Sequence, residues 1–178
     1  MNKIRKIFSV IQRWLVKKLV YVDDGLYMKY YTNYLRKIGV VIHGTPKFIS
    51  PDAYFDGTDY SKIVIGDNVT ISREVMFLTH DYSITSALAS IGEKIPRGGG
   101  EVFFLKDITI GENCFIGARV SILPGTSIGD NVIIGTCSVV KGKIPNNSIV
   151  VGNPYEIIGK TDAYAMLHKK KNDYLIEK

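Results

Sequence analysis

His80 is the side chain best suited to acid–base chemistry in this sequence. It lies in the segment FLTHDYS, and an imidazole exchanges protons close to neutral pH, as a general base must. Directly after it a regular pattern fails, and residues 81–103, which contain GEKIPRGGG, are expected to form an extruded loop. A histidine at the root of a loop on a rigid scaffold is well placed for catalysis, although position alone fits an exposed turn histidine equally well.

Asp81 directly follows His80 and is a candidate catalytic residue that would orient the imidazole. Neighbours on an extended chain point to opposite sides, so a carboxylate from the loop or from a partner subunit is the alternative. The sequence contains no Gly-x-Ser-x-Gly elbow, no P-loop and no GxGxxG motif. The sequence therefore gives no support for a covalent enzyme intermediate on a serine elbow or for a nucleotide-phosphate enzyme.

The other histidines and the cysteines do not suggest a second centre. His43 precedes the regular pattern and His168 follows it, so both are expected to be structural or solvated. A metal site built from three histidines, as in a carbonic anhydrase, is not expected, and no metal is predicted. Cys114 and Cys137 show no CxxC spacing. We expect free thiols in a reducing, cytoplasmic environment.

A six-residue repeat fills most of the chain and must position His80. Its frame starts at Ile65 with IGDNVT and resumes after the interruption with IGENCF, IGARVS and IGDNVI; a weaker pair, ISPDAY and FDGTDY, precedes it. The first position is aliphatic or aromatic: Ile65, Ile71, Phe77, Phe104, Ile110, Ile116, Ile122, Ile128, Ile134 and Val140. The fifth is usually small or β-branched: Val69, Val75, Ile108, Cys114, Val120, Thr126, Val132 and Ser138.

A period of six fits neither the helical period of 3.6 nor the alternation of a simple strand. It fits a triangular coil in which each hexad forms one side and one corner, and in which stacked coils bury the aliphatic positions. Asp-Asn, Glu-Asn and Pro-Gly pairs fall at the corners, where Asn and Gly accept turn dihedrals. The pattern predicts a mainly β fold of parallel coils; a sandwich of short strands is the alternative.

The N-terminal 40 residues are expected to form a helical appendage. Residues 3–22 have helical spacing, with these apolar positions on one side: Ile4, Phe8, Ile11, Leu15, Leu19 and Val22. Asp23 or Asp24 can cap a second helix that ends at Gly39. The apolar side of that helix is expected to contain Tyr27, Tyr30, Tyr31, Tyr34 and Ile38.

The β-coil domain is predicted over residues 41–160, and a C-terminal helix and tail over residues 161–178. Thr161 or Asp162 can cap that last helix.

Charge is concentrated at the N-terminus. The chain carries a net charge of +6, yet residues 1–40 hold nine basic and two acidic residues, so the remainder is close to neutral. Nucleic-acid binding is not expected, because basic residues would then cover the folded body. The helix over residues 3–22 could pack on the body or across subunits; a peripheral contact with the inner face of an anionic membrane is the sharper alternative.

The stretch GARVSILPGTSIGDNVIIG and the closing VVGNP resemble the hexapeptide-repeat acyltransferases, over residues 49–160. Within that family the similarity is closest to the sugar O-acetyltransferases, which include galactoside, maltose and capsular-polysaccharide enzymes. The resemblance implies a left-handed parallel β-helix and a homotrimer, with acetyl-CoA in the groove between neighbouring prisms.

The resemblance also implies roles for individual residues. His80 would be the general base, and the backbone N–H of Ala118 would stabilise the oxyanion. Contacts with acetyl-CoA would come from Gly117, Ala118, Gly135, Thr136, Lys141, Asn153, Pro154 and Lys160. Gly and small residues at these corners are also what repeat geometry alone demands.

Three positions depart from the family pattern. Phe115 stands where many relatives have Trp, and Glu156 and Gly159 stand where a galactoside-type enzyme has basic residues. Lys160 or Lys141 is then the substitute for binding the coenzyme phosphates. The resulting hypothesis is an O-acetyltransferase acting on a sugar hydroxyl of a surface polysaccharide or its precursor. An antibiotic O-acetyltransferase and a non-catalytic trimeric scaffold are the alternatives.

Overall fold

The computed structural model describes residues 3–96, 98 and 100–176, with side chains from residue 7 onward. The elements in chain order are α1 (Lys3–Lys18), α2 (Asp24–Ile38), β1 (Val41–Ile42), β2 (Phe48–Ile49), β3 (Tyr54–Phe55), β4 (Ile63–Ile65), β5 (Thr70–Ile71), β6 (Met76–Phe77), β7 (His80–Asp81), α3 (Ser83–Ser90), β8 (Phe104–Leu105), β9 (Ile108–Ile110), β10 (Phe115–Ile116), β11 (Ser121–Ile122), β12 (Ser127–Ile128), β13 (Ile133–Ile134), β14 (Val139–Val140), β15 (Lys143–Ile144), β16 (Ser148–Gly152), β17 (Tyr155–Lys160) and α4 (Thr161–Lys171). Short 3-10 helices occupy Leu19–Tyr21 and Tyr60–Lys62.

Three parallel sheets form the sides of a triangular prism. The first face has the order β1-β4-β9-β12-β15, the second ends in β16-β13-β10-β5-β2, and the third is β14-β11-β6-β3. Successive strands of the chain visit the three faces in turn, so each coil lies on the one before it. The weak pair of hexads belongs to this stack, because Ile49 pairs with Ile71 and Phe55 pairs with Phe77.

The interior is built from the first and fifth positions of the hexads, as predicted. Ile116 on the second face pairs with Ile71 and Ile134, and all three side chains are fully buried. The small fifth positions are also buried, from Val69 to Ser138. Apolar burial of this kind contributes roughly 25 cal/mol per Å² removed from water, which makes the stack of coils the main stabilising element.

Left-handed backbone conformations turn the chain at the corners. Asn68, Asn113 and Asn131 have φ between 52° and 56°, which costs Asn less than most residues. Their side chains continue the stacking outside the core, since Asn68 Nδ2 donates to Asn113 Oδ1 over 2.7 Å. The predicted placement of these Asn residues at corners is confirmed.

One corner is shorter than the repeat predicts. After Val140 the chain turns at Lys141 and Gly142. Ile144 is the fifth residue of its hexad, but its side chain is buried on a strand in the way that the first residues of the other hexads are. Ile144 pairs with Ile128 on the first face. The turn at Lys141 is therefore tighter than the corners below it.

The interruption forms an extruded arm. Strand β7 pairs with β8 in antiparallel fashion, with His80 opposite Leu105. Helix α3 lies between them, where the sequence predicted only a loop. The prediction that Phe104 points into the prism is wrong: its side chain is 44% exposed, because the antiparallel ladder lies outside the parallel coils.

The flanking helices form where the sequence predicts them. Asp23 caps α2 by accepting a hydrogen bond from the N–H of Leu26, and Gly39 ends it with φ of 117°. Tyr30 was expected on the buried side but is half exposed, and Leu35 is buried instead. Helix α4 begins at Thr161 with Lys160 at the N-cap, so neither Thr161 nor Asp162 occupies the predicted cap position.

Helix α1 packs against α2 with its polar side. Ser9 Oγ lies 3.4 Å from the Tyr34 hydroxyl, and Lys37 Nζ donates to Gln12 Oε1 over 3.1 Å. The apolar side faces outward and is more than half exposed at these positions: Ile7, Phe8, Ile11 and Leu15. Val10 and Trp14 are also more than half exposed and lie where α1 borders the lowest coil. Among the described residues, no helix is both long and apolar enough to cross a bilayer.

Candidate functional site

His80 lies at the edge between the third and first faces, where the chain leaves the prism. Its Nδ1 forms a hydrogen bond with Asp56 Oδ2 and lies 3.1 Å from the Thr58 hydroxyl. Asp56 belongs to the coil below, directly after β3, and Phe55 on that strand stacks on Phe77. The stacking of two coils therefore brings the carboxylate and the imidazole together.

Asp56 is a buried carboxylate whose hydrogen bonds keep it ionised. Its side chain is 2% exposed. Oδ2 accepts hydrogen bonds from the Thr79 N–H and hydroxyl, both over 3.0 Å, and from the His80 N–H over 3.1 Å. Burial acts to raise the pKa of Asp56, but the hydrogen bonds from Thr79, His80 and Thr58 outweigh it, and the net pKa is lowered.

An ionised carboxylate at Nδ1 fixes the tautomer of the imidazole. Nδ1 carries the proton and donates it to Asp56, which leaves the lone pair on Nε2 of His80 to accept a proton. The His80 side chain is 27% exposed, so a substrate can approach the ring. An imidazole held in this way by a carboxylate is an arrangement that could perform general-base catalysis.

Two aromatic residues from the two ends of the extruded arm flank the imidazole. Tyr82 and Phe103 contact it edge-on, with ring centroids 5.2 and 6.2 Å from that of His80. The two aromatic rings also contact each other, with centroids 4.9 Å apart. The arm thus shields one side of the base with apolar surface, which strengthens the electrostatic contact between His80 and Asp56.

Asp81 does not orient His80. Its carboxylate instead accepts a hydrogen bond from the Ser83 N–H over 2.8 Å, and this bond lowers its pKa. The physical reason is the extended conformation of β7, which turns adjacent side chains apart. Asp56 was missed because it lies 24 residues away in a weakly repetitive hexad, and only the coil-to-coil pairing of Phe55 with Phe77 identifies it.

Ala118 lies at a different edge, between the second and third faces. Its carbonyl accepts hydrogen bonds from the Cys137 N–H over 2.9 Å and from the Thr136 hydroxyl over 2.5 Å. Its own N–H has no acceptor in the part of the chain that the structure describes. A free N–H at an outer corner can serve as the donor that an oxyanion requires.

Gly117 and Gly135 are explained by the close stacking of the coils at this edge. A Cβ atom on Gly117 would lie 2.7 Å from the Ile134 carbonyl oxygen, and one on Gly135 would lie 2.7 Å from Val151 Cγ1. Thr136, one coil above Ala118, is exposed. Coil geometry alone therefore requires both glycines, while Thr136 and the Ala118 N–H remain available to a ligand.

The remaining predicted coenzyme residues fall in two places. Lys141 lies at the same edge as His80, and its charge contributes to lowering the pKa of Asp81, after the Ser83 hydrogen bonds. Asn153 and Pro154 form the exposed turn of the β16–β17 hairpin, and Lys160 ends that hairpin. The antiparallel strand β17 was not expected from the sequence, and it extends the second face.

Within one chain the predicted residues are divided between two edges of the third face. His80 and Lys141 lie at one edge, and Ala118 and Thr136 lie at the other. The width of that face separates the His80 imidazole from the Ala118 N–H. Cys114 is buried, with a pKa raised by burial to about 11, and Cys137 is exposed. Across the described ranges, no group of three or more side chains could hold a metal ion.

Comparison with known proteins identifies the family. The model of the bacterial transferase hexapeptide (six repeats) matches residues 107–142. Protein CapG of Staphylococcus aureus is 37% identical over 140 residues, which cover 79% of this chain and 77% of CapG. The chain belongs to the hexapeptide-repeat acyltransferases.

A second relative of this hexapeptide-repeat acyltransferase is the putative lipopolysaccharide biosynthesis O-acetyl transferase WbbJ of Escherichia coli (strain K12). It is 34% identical over 119 residues, which cover 63% of this chain and 60% of WbbJ. A solved galactoside acetyltransferase in complex with coenzyme A superposes with a TM-score of 0.59 at 24% identity, over 96% of this chain and 90% of that one. At this level of identity the similarity shows the fold alone. The triangular prism of this chain is therefore a left-handed parallel β-helix.

Replacing Asp56 with Asn should destabilise this acyltransferase in a pH-dependent manner. The folded-state pKa lies below the ordinary Asp value, so the ionised carboxylate stabilises the fold above about pH 4, and the effect is lost as the pH falls through the folded-state pKa. We expect Asp56→Asn to lower the free energy of unfolding by about 1–3 kcal/mol at pH 7. The difference from wild type should shrink below about pH 4.

Urea unfolding between pH 3 and pH 7 measures this effect. Asp162→Asn is the matched control, because that carboxylate is exposed and accepts a hydrogen bond only from the adjacent Ala163 N–H. If the free energies of unfolding of wild type and Asp56→Asn differ by the same amount from pH 7 down to pH 3, ionisation of Asp56 does not stabilise the fold.

Proposed function

We propose that this acyltransferase moves an acetyl group from acetyl-CoA to a hydroxyl of a saccharide, with His80 as the general base. The single observation that carries the proposal is the buried Asp56 carboxylate at Nδ1 of His80, which leaves Nε2 free to accept a proton. The printed names of WbbJ and of the galactoside acetyltransferase support O-acetyl transfer and a sugar acceptor. The coenzyme in the latter structure supports acetyl-CoA as the co-substrate.

The proposed transfer is direct. Nε2 of His80 takes the proton of the acceptor hydroxyl as the oxygen attacks the thioester carbonyl carbon. The carbonyl oxygen becomes an oxyanion and accepts a hydrogen bond from the Ala118 N–H. When the tetrahedral intermediate collapses, the carbon–sulfur bond breaks and the imidazolium gives its proton to the departing thiolate. The buried Asp56 stabilises the imidazolium while it exists.

The division of the site between two edges supports a homotrimer with active sites between protomers. His80 of one chain and Ala118 of its neighbour can share a groove, whereas the same two residues within one chain lie on opposite sides of the third face. Acetyl-CoA would lie in that groove along Gly117, Gly135 and Thr136. The contacts assigned to its outer part are those with Lys141, Asn153, Pro154 and Lys160.

We also propose that the protein works in the cytoplasm at an anionic membrane face, with α1 as the contact. Its exposed apolar side includes Phe8, Ile11 and Leu15. Residues 1–40 carry a net charge of +7, while the remainder of the chain carries −1. An anionic lipid surface complements this charge, and a second copy of the nearly neutral body would complement it far less.

Replacing His80 with Ala should abolish acceptor-dependent thiol release. Loss of one general base costs roughly 10²–10⁴-fold in rate. Thiol release from acetyl-CoA across a panel of sugars measures the effect, and binding of coenzyme should remain unchanged. The matched controls are His43→Ala and His168→Ala, which should both retain wild-type rates. A fully active His80→Ala variant would remove His80 from the mechanism.

Mixing two inactive variants tests whether the site is shared between chains. The first variant is His80→Ala. The second is Ala118→Pro, which removes an N–H that donates to no acceptor among the described residues. In randomly assembled trimers of the two, about a quarter of the sites receive an intact His80 and an intact Ala118 N–H. We therefore expect about a quarter of the wild-type rate after co-refolding. Activity that stays at the level of the separate variants would place each site within one chain.

The membrane contact predicts sedimentation with vesicles. Wild-type protein should sediment with phosphatidylglycerol vesicles, less with phosphatidylcholine vesicles, and less again at high salt, which screens the attraction. Leu15→Glu should abolish the association by placing a charge in the apolar side of α1. Leu175→Glu, at a position that is 99% exposed in the tail, is the matched control and should bind as wild type does. Equal binding to both lipids would contradict the proposal.

A further inference from the structure

A cleft of about 490 Å³ lies between α1, α2 and the lowest coil of the prism. Its walls combine cationic and aromatic side chains, including Arg13, Trp14, Lys17, Tyr34, Tyr54 and Tyr60. None of the residues assigned above to proton transfer or to the coenzyme lines it. Because α1 packs with its polar side toward the prism, Arg13 and Lys17 of that side line the cleft; Lys17 is half-buried and Arg13 is also exposed to solvent.

The cleft holds two cations, Arg13 and Lys17, against one carboxylate, Asp52. In the described part of the chain, no carboxylate lies within salt-bridge distance of Arg13 or Lys17. Burial and the nearby charge of Arg13 lower the pKa of Lys17, while Asp52 opposes this effect. Asp52 lines the cleft too, but its carboxylate already accepts hydrogen bonds from Ser50 and Arg73.

Two like charges in a half-buried cleft are unfavourable until an anion joins them. Arg presents a planar set of donors that matches phosphate or carboxylate, and Lys adds a compact positive charge. A single oxyanion placed between Arg13 and Lys17 would relieve their repulsion and neutralise both. The excess of positive charge in the cleft therefore favours an anionic ligand over a neutral one.

The aromatic side chains suit a ligand that also carries a ring. Trp14 and Tyr54 are 61% and 53% exposed, so each offers a flat apolar face at the cleft. Lys17 Nζ lies 5.8 Å from the centroid of the Tyr31 ring, which holds the ammonium group against the wall. Flat apolar surface beside a few charged donors is the usual composition of a small-molecule site.

We infer that this cleft binds an anionic saccharide, with its phosphate or carboxylate between Arg13 and Lys17 and its ring against Trp14 and Tyr54. The identification of the ring as a sugar rests on the proposed acetyl transfer, whereas the anion site does not. The segment from Tyr54 to Tyr60 that forms one wall also carries Asp56, the partner of His80. The cleft and the base therefore share one stretch of backbone.

Titration of the tryptophan fluorescence tests the site directly, because Trp14 is the single tryptophan of the chain. The probes are glucose 1-phosphate, glucuronate, inorganic phosphate and glucose, without acetyl-CoA. We expect the two charged sugars to bind at least about 10-fold more tightly than glucose, and glucose 1-phosphate to bind more tightly than inorganic phosphate. Arg13→Gln and Lys17→Met should each weaken binding of glucose 1-phosphate by roughly 10- to 100-fold.

Lys29→Met is the matched control, since Lys29 is exposed on α2 and does not line the cleft. Thermal unfolding separates loss of the site from loss of the fold. Lys17→Met without ligand should unfold at the wild-type temperature or above it, and glucose 1-phosphate should raise the unfolding temperature of wild type and Lys29→Met only.

Equal affinities for glucose and glucose 1-phosphate would overturn the anion site. An affinity of Lys17→Met for glucose 1-phosphate equal to that of wild type would overturn it too. Equal binding of inorganic phosphate and glucose 1-phosphate would overturn the saccharide assignment. A protein that binds the charged sugars as expected, but releases no thiol with any acceptor, would retain this site and lose the proposed function.

Discussion

Each coil of the prism is joined to the next by a parallel backbone ladder and by aliphatic side chains that stack inside it. Ile71, Ile116 and Ile134 form one such column, and the pairing of their strands leaves no freedom of register. A shift of one residue would turn every core side chain outward. The corners are therefore held as rigidly as the core, and the polar groups placed there keep fixed positions.

The contact between His80 and Asp56 depends on that rigidity. A carboxylate removed from water is costly unless donors replace the water, and Asp56 receives them from Thr79 and His80 of the coil above. The cost of burying the Asp56 carboxylate is thus offset by hydrogen bonds that the stacked coil supplies. At another corner the Ala118 carbonyl pairs with the Cys137 N–H of the next coil, while the Ala118 N–H has no acceptor among the described residues.

The sequence was sufficient to predict the parallel coils, the corner asparagines and the position of His80, since all three depend on local spacing. It was insufficient where two distant segments meet. Asp56 could be found only from the coil that lies on it, and Phe104 kept the hexad frame while leaving the prism with β8. Periodicity also predicted that α1 has an apolar and a polar side, but only the contact of Ser9 with Tyr34 shows that the polar side packs against α2.

The extruded arm leaves and returns at neighbouring points, because His80 and Leu105 face each other across a two-residue ladder. Everything beyond that ladder can change in length and sequence without altering the coils on either side. The hydrogen bond between His80 and Asp56 lies below the ladder, while Tyr82 and Phe103 lie where the arm begins and ends. A different arm inserted above the ladder would therefore leave the contact between His80 and Asp56 in place and change only the surface that surrounds it.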